Sequence, residues 1–332
     1  MTSVSSSSRP LRHRAISFFQ FAAPLAAALI VLALFAPRAQ GQGKQDDPRS
    51  KILVSSEWLA SHTSDPNLVL LHVGDKSEYL AEHIAGARFV SLDDISVSDH
   101  ENPGGLMLQM PPTDALRNML ASLGISDNSR IVVYYGNDRV SQATRVVFTL
   151  DYAGLGARTS LLDGGMQDWK RSGHAVTSAI PRAEPGTLAA LRTRPIVVDA
   201  EWVKSHIGKP GLSVVDGRAA SFYDGVQTAE GMRGTHHRTG HIAGAKSIPF
   251  NQINDDQLKI RSSAELAALF LKAGVQPGDT VVGYCHIGQQ ATEMLFAARS
   301  LGHPVLLYDG SFEDWSNHAD YPVDNPAAKA SK

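Results

Sequence analysis

The chain has 332 residues, of which 43% are hydrophobic and 19% are charged, so it can bury a sizeable core and divides naturally into two domains of ordinary size. Its 31 basic and 33 acidic residues give a net charge of -2, which argues against a polybasic surface for nucleic acid. The single cysteine excludes an intramolecular disulfide and a multi-cysteine zinc site.

Residues 1–41 have the pattern of a secretory signal peptide. Arg9, Arg12 and Arg14 precede an uncharged stretch over residues 15–37, and small residues suited to a signal peptidase end at Gly41. We therefore predict a mature start near Gln42, a polar linker over residues 42–50, and a periplasmic or secreted protein. The uncharged run is also long enough to span a bilayer, so an uncleaved anchor is the alternative, and membrane contact is expected only in that case.

In the remainder of the chain, four motifs occur twice in the same order, which indicates duplicated domains rather than a solenoid. The paired segments are Ile52 to His62 with Ile196 to His206, His83-Ile-Ala-Gly-Ala87 with His241-Ile-Ala-Gly-Ala245, Ile131 to Tyr135 with Val281 to Cys285, and Leu162 to Trp169 with Tyr308 to Trp315. We place the domains at residues 51–176 and 196–324, joined by a linker over residues 177–195 and followed by a tail over residues 325–332.

Short β-branched runs alternate with helical patterns in both copies. The predicted strands are Leu68–Val73, Arg88–Val90, Ile131–Tyr135 and Ser160–Leu162 in the first copy, and Ser213–Val215, Lys246–Ile248, Thr280–Tyr284 and Val305–Tyr308 in the second; predicted helices include Thr113–Leu123 and Ser263–Ala273. This alternation predicts an α/β fold in which each domain is a mainly parallel sheet with helices on both faces. Reactive sites of such sheets lie at the carboxyl ends of the strands.

Cys285 stands at such a position, between the strand ending at Tyr284 and a helical pattern beginning near Ala291. Backbone N–H groups of the loop and of the first helical turn offer partial positive charge there, so we expect the thiol to ionise more easily than a free one. Gly288 lets the main chain curl around the sulfur. The competing interpretation is that Cys285 is a buried small hydrophobic residue, as lone cysteines often are.

Taken together, the repeated His-Ile-Ala-Gly-Ala, the Cys285 to Gln290 loop and the Tyr308-Asp-Gly-Ser311 segment resemble the tandem rhodanese family of sulfurtransferases from about Ser50 to Val323. The resemblance implies two rhodanese-like domains, of which only the second carries the reactive cysteine. Tyr135 stands opposite Cys285 in the first copy. The N-terminal domain is therefore expected to pack against the other copy and wall one side of the cleft, without forming a persulfide.

The implied reaction moves a sulfane sulfur from thiosulfate to cyanide or a thiol through a Cys285 persulfide, with no metal or organic cofactor. By the same resemblance, Arg218 would bind the anionic donor with Asp216 in support. The loop residues expected to contact substrate are His286, Ile287, Gly288, Gln289 and Gln290. This loop has neither the basic residues of the vertebrate thiosulfate-using enzymes nor the small residues of the mercaptopyruvate-using ones, so 3-mercaptopyruvate remains an alternative donor.

Several competing interpretations accompany these assignments. Arg218 could be a surface residue paired with Asp216 or Glu230, and His286 could face solvent. A chance metal site at His236, His237 and His241 is not favoured, because His241 belongs to the repeated turn. Two other classes of function remain for comparison. A phosphatase of related fold would need an arginine where Ala291 stands, whereas a non-enzymatic sulfur-carrier or binding module would also use the cysteine.

Overall fold

The computed structural model describes residues 47–102, 104–137, 139–182, 184–229 and 238–330. The predicted signal peptide, Glu230, His236 and His237 lie outside these ranges. Within the described ranges, no helix combines the length and the hydropathy needed to cross a bilayer.

The N-terminal half is built around a five-stranded sheet whose strand pairs are all parallel. Its strands are β1 (Leu53–Val54), β2 (Leu68–Val73), β3 (Arg88–Val90), β4 (Arg130–Tyr135) and β5 (Thr159–Leu162), in the spatial order β1-β5-β4-β2-β3. The helices are α1 (Pro48–Ile52), α2 (Ser56–His62), α3 (Lys76–Ala81), α4 (Thr113–Ser122), α5 (Val140–Tyr152) and α6 (Gly165–Arg171).

The C-terminal half repeats that arrangement. Its parallel sheet has the order β6-β11-β10-β7-β9, from β6 (Val197–Val198), β7 (Leu212–Asp216), β9 (Lys246–Ser247), β10 (Thr280–Tyr284) and β11 (Val305–Tyr308). An antiparallel pair joins β8 (His241–Ile242) to β12 (Val323–Asp324). The helices are α7 (Ala200–His206), α8 (Ala220–Tyr223), α9 (Ser263–Lys272), α10 (Ala291–Ser300), α11 (Ser311–Asn317) and α12 (Pro326–Ala330). The predicted α/β class with two like domains is confirmed.

The first repeated motif proves to be a helix start. Ser55 and Asp199 accept hydrogen bonds from the N–H groups of Trp58 and Trp202, at 3.1 and 2.8 Å. Capping of this kind satisfies N–H groups that a helix leaves unpaired. In both copies the indole then stacks on a histidine one turn later, with ring centroids 3.9 and 4.0 Å apart.

The repeated His-Ile-Ala-Gly-Ala is a structural turn in both copies. His83 and His241 each place Nδ1 2.7 Å from a tyrosine carbonyl oxygen, while the N–H of the next isoleucine donates to a tyrosine hydroxyl at 3.1 Å. Those hydroxyls belong to Tyr134 and Tyr284, in the central strands β4 and β10. The motif therefore ties a loop to the middle strand of each sheet, and His241 is engaged in this turn.

The two halves pack through helices α5 and α10, and one hydrophobic cluster includes residues from both sheets. Val146 and Val147 of α5 belong to this cluster together with Leu295 and Phe296 of α10. At the helix starts, the hydroxyls of Thr144 and Thr292 lie 3.0 Å apart. Because these threonines occupy the same place in the repeated Gln-Ala-Thr, the interface joins equivalent faces of the two copies.

Candidate active site around Cys285

Cys285 directly follows β10, the central strand of the second sheet, at its carboxyl end. Its N–H donates to Ser311 Oγ at 3.2 Å, and its carbonyl oxygen accepts from the N–H of Phe312 at 3.0 Å. The residue is only 1% exposed. The predicted position at the strand end is therefore observed, and the cysteine is held there by the start of α11.

Two opposing influences act on the Cys285 thiol. Burial raises its pKa, and the negative charge of Asp216 adds to that effect. Hydrogen bonds from the backbone N–H groups of Ala291, Ile287 and Gly288 lower it, but burial prevails. The expectation of a thiol that ionises more easily than a free one is thus wrong for the net pKa. The inward-facing amides are present as expected, but the sequence did not reveal how completely the surrounding protein removes the sulfur from water.

Gly288 gives the loop its shape. Its φ of +80° lies in the left-handed region that side chains other than glycine's rarely adopt. A Cβ at this position would stand 2.9 Å from the carbonyl oxygen of Asp309 and 3.0 Å from Nη1 of Arg145. Glycine is therefore required both by the backbone angle and by the close approach of two neighbours.

Asp216 and Arg218 form a buried ion pair at the end of β7, the strand beside β10. Arg218 donates from Nε and Nη2 to the Asp216 carboxylate at 3.0 and 2.6 Å, and from Nη2 to the Gly240 carbonyl oxygen at 2.7 Å. The two side chains are 2% and 0% exposed, and the guanidinium lies 4.1 Å from the ring centroid of Phe312. The suggested pairing with Asp216 is therefore found, but the suggested surface location is wrong.

The electrostatics place Arg218 near the sulfur. Burial is the largest single influence on the pKa of Arg218 and lowers it, but the charge and hydrogen bonds of Asp216, together with smaller contributions from Tyr284 and Cys285, raise the pKa above its usual value. The guanidinium therefore remains a fixed positive charge at the site. Its Nε and Nη2 hydrogens are directed at Asp216 and Gly240.

The other predicted loop residues differ in their surroundings. His286 is 3% exposed, with its ring edge-on to Phe222 at 4.6 Å between centroids, so the suggestion that it faces solvent is wrong. Ile287 is half-buried and offers its N–H to the sulfur. Gln289 donates from Nε2 to Ser141 Oγ of the N-terminal half at 3.1 Å. Gln290 immediately precedes α10, and its buried Oε1 has no hydrogen-bond partner within the described part of the chain.

Arg145 is the main site residue that the sequence did not indicate. It lies on α5 of the N-terminal half with its side chain 0% exposed, and its Nη1 donates to Asp309 at 2.7 Å and to the Gly288 carbonyl oxygen at 3.1 Å. Its Nη2 donates to the carbonyl oxygen of Leu108. The Asp309 carboxylate also accepts from the N–H of Met110 at 2.7 Å. Asp309 and Ser311 belong to the Tyr308-Asp-Gly-Ser311 segment, which carries part of the family resemblance, but the sequence assigned neither residue a role.

A second carboxylic acid missed from the sequence is Glu313 on α11. Its Oε2 accepts from the N–H of Met107 at 2.9 Å, whereas Oε1 is buried and has no hydrogen-bond partner among the residues that the structure describes. Burial raises the pKa of Glu313 to about 7, and Asp314 adds to the shift, while the Met107 hydrogen bond opposes it. The segment around Met107 to Met110 thus reaches from the N-terminal half onto both acidic residues beside the cysteine loop.

Among the residues that the structure describes, no group of three or more histidine, cysteine or acidic side chains is arranged to hold a metal ion. His236 and His237 are not among those residues, so the expectation that they bind no metal stays a prediction. The site around Cys285 instead combines the cysteine sulfur, the backbone amides of the loop and the Arg218 guanidinium. This set is suited to nucleophilic chemistry on anionic or polarisable substrates.

Comparison with known proteins identifies the family of this chain. The chain is 31% identical to the thiosulfate sulfurtransferase of Bos taurus, covering 81% of this chain and 93% of the relative. It is 29% identical to the 3-mercaptopyruvate sulfurtransferase of Escherichia coli K12, covering 82% and 97%. The wild-type structure of EanB shares the fold, with a TM-score of 0.73 and 22% identity over 84% of this chain and 70% of that one. The family model described as the rhodanese-like domain matches twice, at residues 55–172 and 199–318, and the chain therefore belongs to the rhodanese family.

Proposed function

We propose that the protein is a sulfurtransferase that carries a sulfane sulfur on Cys285, with thiosulfate as donor and cyanide or another thiophile as acceptor. The observation that carries the proposal is the lone cysteine at the carboxyl end of β10 with amides of Ile287, Gly288 and Ala291 turned toward its sulfur. Homology to enzymes named thiosulfate sulfurtransferase over most of both chains supports it.

The proposed reaction has two displacements. The Cys285 thiolate attacks the outer sulfur of thiosulfate, an S–S bond forms to the enzyme as the donor S–S bond breaks, and sulfite leaves with the electron pair. Cyanide then attacks the outer sulfur of the persulfide, so that thiocyanate leaves and the thiolate is regenerated. Sulfur is transferred without net oxidation of the enzyme, so the balance requires neither a metal nor an organic cofactor.

The surroundings of Cys285 suit the persulfide more than the resting thiol. Burial opposes any localised anion, but a persulfide shares its charge between two adjacent sulfur atoms. The three loop amides are already oriented, so they stabilise that charge without reorganisation. The Arg218 guanidinium supplies positive charge for the donor, while its bonds to Asp216 hold it in place.

A second donor, 3-mercaptopyruvate, is supported by a different observation. The loop from His286 to Gln290 contains neither lysine nor arginine, and Arg218 is already paired with Asp216. A relative named 3-mercaptopyruvate sulfurtransferase aligns over 97% of its own length. Steady-state rates with the two donors decide between them: we expect thiosulfate to give the higher kcat/KM, and a clear preference for mercaptopyruvate would reverse the choice of donor only.

The persulfide itself is tested by intact mass. Purified protein mixed with thiosulfate or 3-mercaptopyruvate should gain the mass of one sulfur atom and lose it when cyanide is added. The matched control is Cys285→Ser, which should gain none. A protein that gains sulfur but shows no turnover with small acceptors would be a sulfur carrier. A gain that persists in Cys285→Ser would refute the mechanism.

Phosphate ester hydrolysis is not supported. Ala291 stands where such an enzyme would present an arginine, and it is 0% exposed at the start of α10. A methyl group cannot clamp a phosphate.

We also propose that the protein works outside the cytoplasm. The basic residues and uncharged stretch at the N-terminus, followed by small residues at Ala39 and Gly41, support export with cleavage before Gln42. An uncleaved anchor remains the alternative arrangement.

A further inference from the structure

Arg145 joins the N-terminal domain to the reactive loop of the other domain. Its Nη1 is shared between the Gly288 carbonyl oxygen, at 3.1 Å, and Asp309, at 2.7 Å, while Nη2 donates to the Leu108 carbonyl oxygen. Arg145 is completely buried. A guanidinium has a planar, fixed fork of donors, so these three acceptors determine both its position and its orientation.

The Gly288 peptide units link this arginine to the sulfur. The Gly288 N–H belongs to the set of amides directed at Cys285, and its carbonyl oxygen is directed at Arg145. Gly288 has a φ of +80°, with its N–H on the side of the loop that faces the sulfur and its carbonyl oxygen on the side that faces Arg145. Glycine has no side chain to hold this conformation and can leave it easily. An external bond to the carbonyl is therefore what restrains the peptide.

We infer that Arg145 is a positioning residue for the sulfur site, which holds the Gly288 carbonyl so that the loop amides stay aimed at Cys285. The N-terminal domain, which has no cysteine, thereby contributes to reactivity in addition to walling the cleft. The inference rests on the proposed function only in treating Cys285 as the reacting group.

The test follows thiol reactivity and needs no sulfur donor. The rate of alkylation of Cys285 by iodoacetamide is measured against pH in the full chain and in Arg145→Met and Arg145→Lys. Lysine keeps the charge, but the donors of its ammonium group all lie on one nitrogen and cannot reproduce the planar arrangement that reaches three acceptors. We expect both variants to shift the midpoint upward by about one pH unit, which is about a tenfold lower rate below the midpoint.

The matched control is Arg299→Met, which removes another interdomain pair. Arg299 of α10 lies 3.1 Å from Asp151 of α5, and none of its described contacts is to the cysteine loop. Its alkylation profile should superimpose on that of the parent protein, with thermal unfolding recorded for every variant.

Three outcomes would overturn the inference. The first is that the alkylation profiles of both Arg145 variants superimpose on that of the parent. The second is a parent-like profile in Arg145→Lys, which would show that charge alone matters, and the third is an equal shift in Arg299→Met, which would assign the effect to domain packing. If Arg145→Met does not fold, Arg145→Lys is decisive by the same criteria. A parent protein that is alkylated normally but accepts no sulfur would refute the proposed function and leave this comparison valid.

Discussion

Replacing Glu313 with glutamine should raise the stability of the protein relative to the parent as the pH increases. The pKa of this carboxyl is raised from 4.5 to about 7, chiefly by burial. The folded state therefore binds a proton more tightly than the unfolded state does. As pH rises from about 4.5 to 7, Glu313 ionises in the unfolded state while the folded state keeps its proton, so the free energy of unfolding falls progressively. Below pH 4.5 both states are protonated and the effect vanishes.

The magnitude follows from the shift. One pKa unit corresponds to about 1.4 kcal/mol, so the full penalty above pH 7 is about 3 kcal/mol. Glutamine can still accept from the Met107 N–H through its carbonyl oxygen. Its NH₂ group would then occupy the place of the unpartnered Oε1, which costs about 1–3 kcal/mol at every pH. The pH-dependent part of the difference is therefore the meaningful quantity.

Urea unfolding of the parent and Glu313→Gln at pH 4.5 and pH 8 measures this difference. The stability of the variant relative to the parent should increase by about 3 kcal/mol between the two conditions. Glu101→Gln, at an exposed carboxyl, serves as the control and should show little change. If the difference between parent and Glu313→Gln is the same at both pH values, then the Glu313 carboxyl does not titrate as the structure implies.

Two further predictions concern the site, and a third concerns the N-terminus. Gly288→Ala should cost at least about 1–2 kcal/mol from the left-handed φ alone and lower the rate of persulfide formation, because a Cβ would press on Asp309 and Arg145; unchanged urea unfolding and sulfur loading would contradict the geometry. Asp216→Leu should destabilise the protein by about 3–5 kcal/mol by leaving Arg218 buried and unpaired, and a urea midpoint equal to that of the parent would show that the pair is unimportant. Mass spectrometry of the N-terminal peptide from the protein recovered from the cell should show a start at Gln42, whereas a chain that starts at the N-terminal methionine and remains with the membrane fraction would establish the anchor.

The duplicated α/β fold could be predicted because its signals are local and occur twice. The runs at Leu68–Val73, Thr280–Tyr284 and Val305–Tyr308 became strands with those bounds, and α10 begins at Ala291 as expected. Apolar strands buried on both faces leave a continuous signal in the sequence. The two-residue strands β1 and β6 were missed, since so few residues carry no periodicity.

The amino-acid sequence by itself determined the class of fold, the pairing of the domains and the place of Cys285 at a strand end, because periodicity and repeats depend on residues near one another in the chain. Only the tertiary structure decided the environment of that thiol. Burial raises the pKa of the thiol, and Arg145 contacts Gly288, only because the fold brings together residues that are far apart in sequence. Desolvation and hydrogen bonding depend on all neighbours in space, and no local pattern records which domain supplies them.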